Sequence, residues 1–74
     1  EAVADELANR RGEFVSVAAY EANKTVTQTD PEISEAVDFC TYYAQSARLL
    51  DSYAAEFTPH RVTVVTPPWN FPVA

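Results

Sequence analysis

Four of the chain's five prolines lie beyond residue 58, at Pro59, Pro67, Pro68 and Pro72. Proline has no backbone N–H and a fixed φ, which excludes it from helix interiors and from the middle of a sheet. The tail therefore has to be extended chain and turns. Before Pro59 only Pro31 interrupts, and that part of the chain is free to be helical. The composition divides the molecule near residue 58: helices first, then a strand and a rigid loop.

Val3, Leu7, Phe14, Val17, Ala18 and Ala22 recur at helical spacing and predict a helix over about 2–22. Gly12 weakens it by roughly 0.5–1 kcal/mol relative to Ala. Asn23 tolerates the left-handed conformation that ends many helices, and residues 23–29 read as a polar connection. Asp30-Pro31-Glu32 reads as the next helix start. Asp30 can cap free N–H groups, Pro31 suits the first helical position, and Glu32 and Glu35 favour the positive end of the helix dipole. Ile33, Val37, Cys40, Tyr43 or Ala44, Ala47, Leu50 and Ala54 then form one apolar stripe. They predict a helix from 31 to about 55, or ~37 Å at the usual rise. Such a helix suits a larger body to pack against. Arg61-Val62-Thr63-Val64-Val65-Thr66 reads as a strand covered on both faces, closed by Pro67-Pro68.

At 74 residues there is one small unit at most, and no usual staple supports it. One Cys cannot close an intrachain disulfide, and one His with one Cys cannot complete a structural zinc site. No Met begins the chain, and it stops on the apolar string Phe71-Pro72-Val73-Ala74, which points to a window cut from a longer protein. Eleven acids against five bases give a net charge of −6, which argues against nucleic acid and anionic membrane partners. No apolar run approaches the ~20 residues of a bilayer span, and the acidic start is not a signal-peptide n-region. A soluble, reducing, cytoplasmic setting is the default expectation.

Few side chains offer chemistry by spacing alone. His60 reads as a loop or surface residue. Cys40 lies on the apolar stripe with no nearby cation and reads as a small hydrophobe. Glu32, Glu35 and Asp38 read as a solvated face, and Tyr42, Tyr43 and Tyr53 as packing. The tail is different. Trp69 and Asn70 follow a strand directly and are braced by three prolines. In open α/β sheets ligands bind at the C-terminal ends of strands. An Asn amide is a neutral donor suited to a developing oxyanion. A proline-rich turn anchored by its Trp is the other reading of the same residues.

Thr66-Pro67-Pro68-Trp69-Asn70-Phe71-Pro72 resembles the Pro-Trp-Asn-Phe-Pro signature of the NAD(P)-dependent aldehyde dehydrogenase superfamily. Glu21-Ala22-Asn23-Lys24-Thr25 is similar to the Glu-x-Gly-Lys segment of that family, with Asn23 where Gly is usual. Pro31 to Phe39, followed by Tyr42-Tyr43-Ala44, is similar to its next helix. The closest likeness is to the branch that oxidises glutamate γ-semialdehyde, including bifunctional proline-catabolic enzymes. The resemblance implies an α/β fold, as a fragment of a dinucleotide-binding domain with two helices leading into a strand. It implies NAD or NADP as cofactor, a small aldehyde as substrate and a homo-oligomeric parent. It also implies a catalytic thiolate, a base and a Gly-rich cofactor loop downstream of this window. Asn70 would be the oxyanion donor, and the backbone of Thr66, Pro67, Pro68 and Trp69 would line the cofactor. Cys40 does not match the nucleophile. The alternative from another class is a small acidic helical interaction module with a proline-rich tail.

Overall fold

Polar residues, more than the prolines, decide where the helices begin and end. The computed structural model describes residues Glu1–Ala74. It contains α1 (Ala2–Asn9), α2 (Arg11–Ala22) and α3 (Val26–Leu49), followed by a 3-10 turn at Leu50–Ser52. The apolar periodicity over 2–22 is divided at Arg10, whose backbone leaves the helical region at φ −104°, ψ 22°. Arg10 restarts the chain as α2: its carbonyl accepts the Glu13 and Phe14 N–H groups, and its guanidinium grips Glu13 at 2.7 Å. Gly12 sits inside α2, and a Cβ there would meet nothing. Asn23 closes α2 in the left-handed region at φ 53°.

The central helix α3 starts at Val26, more than a turn before Asp30-Pro31. Thr25 and Gln28 form a capping box, and Thr29 is fully buried with its hydroxyl donating to the Thr25 carbonyl at 2.9 Å. These contacts outweigh the N–H that Pro31 lacks inside the helix. Asp30 is no cap. Its carboxylate and its carbonyl both accept from Arg11, at 2.8 and 2.9 Å, tying α3 to the start of α2. At the far end the Ser52 hydroxyl donates to the Leu49 carbonyl at 2.6 Å, so the helix stops there and not near residue 55.

Helices α1 and α2 both pack on α3. The apolar core is Ala4, Ala18, Ile33 and Ala36, small residues that let the helices approach closely. Burying Ile33 is worth about 1.5–3 kcal/mol, and little else in the core is large. The radius of gyration is 14.9 Å, against about 11 Å for a compact chain of this length.

The expected α/β architecture is not present. The fold is all helical, and residues 61–66 form no strand. A strand needs a neighbour to satisfy its N–H and C=O groups, and no second strand-like run exists in the chain. No backbone–backbone hydrogen bond reaches residues 61–66, and Val62, Val64 and Val65 are 80%, 82% and 77% exposed. β-branched content marked a preference for extended backbone but could not supply the ladder. No helix is long and apolar enough to cross a membrane.

Candidate functional site

The proline-rich tail folds back onto the start of α3 and is held there by two buried charges. Pro68, Trp69, Asn70 and Phe71 form a tight turn closed by the Phe71 N–H donating to the Pro68 carbonyl at 3.2 Å. The Lys24 ammonium donates to the Asn70 carbonyl at 2.6 Å and to Glu32 Oε2 at 2.5 Å. It also lies 5.1 Å from the centroid of the Phe71 ring, within cation–π range. Glu32 Oε1 accepts the Val73 and Ala74 N–H groups, at 2.7 and 3.0 Å.

Local sequence explains this placement. The left-handed Asn23 turns the chain out of α2, which sets Lys24 in the short connection facing α3. Thr29, Glu32, Ile33 and Ala36 share one face of α3 at the i, i+3, i+4, i+7 spacing, and all four are buried. Glu32 is only 2% exposed and Lys24 7% exposed, so each needs the other. Burial pushes the Glu32 carboxyl up, and this is the largest single influence. The hydrogen bonds from Lys24, Val73 and Ala74, with the Lys24 charge, together outweigh it and hold the carboxyl below its ordinary range.

Beside this clamp is a cleft of about 360 Å³ lined by Lys24, Thr27, Gln28, Pro31, Trp69, Asn70 and Phe71. Trp69 is 76% exposed, so the indole is not the anchor of the turn; Phe71 and the two charges are. Asn70 engages only through its carbonyl, and its side-chain amide has no partner in the chain. Of the five residues singled out in the tail, the structure brings Trp69 and Asn70 to the cleft. Thr66, Pro67 and Pro68 are exposed and lie outside its lining.

Sequence reasoning missed Lys24 and Glu32 as site residues. Glu32 is not on a solvated face, unlike the exposed Glu35 and Asp38. The usable signal was its spacing: residue 32 lies on the same helical stripe as Thr29, Ile33 and Ala36. Starting the helix at Asp30 turned that carboxylate into a first-turn dipole partner. Cys40 is half-buried on the same stripe and His60 is exposed.

The profile described as "Aldehyde dehydrogenase family" matches residues 1–74, and the chain belongs to that family. It is similar to several curated 1-pyrroline-5-carboxylate dehydrogenases. That of Bacillus subtilis (strain 168), numbered 2, is 35% identical over 79 residues, which cover 92% of this chain and 15% of the relative. That of Bacillus licheniformis is 36% identical over 73 residues, covering 84% of this chain and 14% of the relative. That of Anoxybacillus flavithermus is 37% identical over 76 residues, covering 88% and 15%. The chain thus spans about 15% of the length of the relatives it matches. No solved structure matches.

Proposed function

We propose that this segment provides the oxyanion donor, Asn70, of an NAD(P)-dependent aldehyde dehydrogenase that oxidises glutamate γ-semialdehyde. The names of the relatives support the substrate class. The observation that carries the site assignment is a turn fixed at both ends that leaves the Asn70 amide unengaged beside a cleft. Attack of a thiolate on an aldehyde turns the carbonyl oxygen into an alkoxide. The Asn70 Nδ2–H group donates to that oxygen and lowers the barrier without forming a lasting ion pair. The attacking thiolate and the water-activating carboxylate lie, on this reading, outside these residues. Cys40 belongs to the packing of α3.

Bound NAD(P) supplies the hydride acceptor. The residues present fit such a group through backbone. The Thr66, Pro67 and Trp69 carbonyls have no hydrogen-bond partner in the chain and can take hydroxyl or carboxamide donors. On the family resemblance, the backbone of Thr66, Pro67, Pro68 and Trp69 is assigned to the cofactor border, and Asn70 to the reacting oxygen. The family resemblance also supports a homo-oligomeric parent. The single free Cys is consistent with a reducing, cytoplasmic setting.

The test uses the full-length protein that contains this chain. NADH formation is followed by absorbance with glutamate γ-semialdehyde and, separately, with short aliphatic aldehydes. The expected result is NAD(P)-dependent turnover with the higher kcat/KM for the semialdehyde. Absence of turnover above a no-enzyme blank with every aldehyde would contradict the proposal.

A further inference from the structure

We infer that Lys24 and Glu32 are positioning residues that aim the Asn70 amide by clamping the backbone on both sides of it. The inference rests on the assignment of Asn70 as oxyanion donor. Lys24 takes the carbonyl of Asn70 itself, and Glu32 takes the N–H groups of Val73 and Ala74. Between these anchors Pro72 fixes its own φ, and the Phe71 N–H is tied to Pro68. With the backbone held from Pro68 to Ala74, the Asn70 side chain keeps only its two χ angles to set.

Stability alone does not account for the pair. A buried Lys–Glu pair gains little over well-packed apolar residues of the same size, because both charges lose their hydration. An apolar pair here would fill the space, yet would leave the Asn70 carbonyl and the Val73 and Ala74 N–H groups to water, with nothing in the helices to hold them in place. What the charges add is direction. They come from two places in the chain, the α2–α3 connection and α3, so the turn is referenced to the helices and not only to itself. The Phe71 ring over the ammonium closes the clamp from the tail side.

The test is a double-mutant cycle in the full-length protein. Lys24→Met keeps the length of the side chain and removes its charge and donors. It is expected to lower kcat by about ten- to a hundredfold, the cost of a small misplacement at a reacting centre. In an Asn70→Ala background the same substitution should cause no further loss, because the group it aims is gone. Hydrogen exchange in residues 69–74 should quicken in Lys24→Met and in Glu32→Ala alike. Should Lys24→Met fail to fold, Lys24→Arg serves. It keeps the charge and the donors, but its longer planar head shifts the Asn70 carbonyl from its place, so a folded Lys24→Arg should show reduced kcat. A loss that multiplies with that of Asn70→Ala, or a folded Lys24 variant with wild-type kcat beside an impaired Asn70→Ala, would overturn the positioning role. Unchanged exchange in residues 69–74 would overturn the clamp itself. An Asn70→Ala enzyme with full kcat would instead remove the oxyanion assignment on which the inference rests.

Discussion

Removing the Glu32 side chain is the severest single test of how the tail is held. Glu32→Ala deletes the three hydrogen bonds the carboxylate accepts, at 2.5, 2.7 and 3.0 Å. It also strands the Lys24 ammonium, whose side chain is 6% exposed, with the Asn70 carbonyl as its one acceptor. Breaking a buried pair by removing one partner costs about 3–5 kcal/mol. The lower end applies here, because the adjoining cleft lets water or a shift of the long stem relieve Lys24. The two freed N–H groups add little, since Val73 is only half-buried and Ala74 is exposed. Glu32→Gln keeps Oε1 as an acceptor for them but sets its amide NH2 against the Lys24 ammonium, so it loses the charge and the Lys24 hydrogen bond and should cost only somewhat less than Glu32→Ala. Acid should act on the same contact. The carboxyl lies below its ordinary range in the folded chain, so its contribution is complete above the unfolded value of about 4.3 and is lost as pH falls through the folded value. Glu32→Gln should flatten that acid slope. The assay is hydrogen exchange of the Ile33–Val37 amides in the full-length protein. A loss of about 3 kcal/mol corresponds to roughly a hundred- to two-hundredfold faster exchange. Less than about a tenfold change at neutral pH in Glu32→Ala would refute the reasoning, because 1.4 kcal/mol is too little for a buried charge left without its partner.

Three further outcomes are expected. In the full-length protein Cys40→Ala should cost ~1 kcal/mol or a little more by thermal melting and leave kcat near normal; loss of nearly all turnover in a normally folded variant would overturn its packing role. Asn23 has φ 53°, ψ 30°, so Asn23→Gly should be close to neutral and Asn23→Val should cost about 1–2 kcal/mol; equal stability of the two variants in denaturant titrations would contradict the left-handed cap. The 74-residue segment alone should form no NADH from NAD and aldehyde, because its single Cys lies on the packing face of α3; turnover above a no-protein blank would place a nucleophile here.

Helical content and the proline-rich turn were legible in the sequence because both depend on local chemistry. Asn23 is an example: its left-handed geometry belongs to the residue and its neighbours. The start of α3 was not legible by the same route. Asp30-Pro31 is a strong local signal, yet the Thr25 capping box, the buried Thr29 and the Arg11–Asp30 contact together override it, and two of those three involve tertiary structure. Glu32 was hidden for another reason: a carboxylate beside Ile33 reads as solvated until the buried Lys24 that pairs with it is known. Val62, Val64 and Val65 mark the opposite failure: an extended preference with no second strand in the chain to pair with. At the cleft, the presence of Asn70 followed from a motif. Lys24 was readable only as part of a family-like segment, because its partners lie eight and forty-six residues away.

The central claim is that Asn70 stabilises the oxyanion, and the kcat of Asn70→Ala in the full-length enzyme tests it most directly. A deuterium isotope effect on the aldehydic hydrogen would first establish that chemistry limits turnover, and a titration would follow NAD(P) binding in parallel. The account predicts a fall of ~10²–10³ in kcat, or roughly 2.7–4 kcal/mol, with cofactor affinity retained because the contacts assigned to it are backbone. An unchanged kcat with chemistry rate-limiting would contradict it, and lost cofactor affinity with normal saturating turnover would move Asn70 from the reacting oxygen to the cofactor.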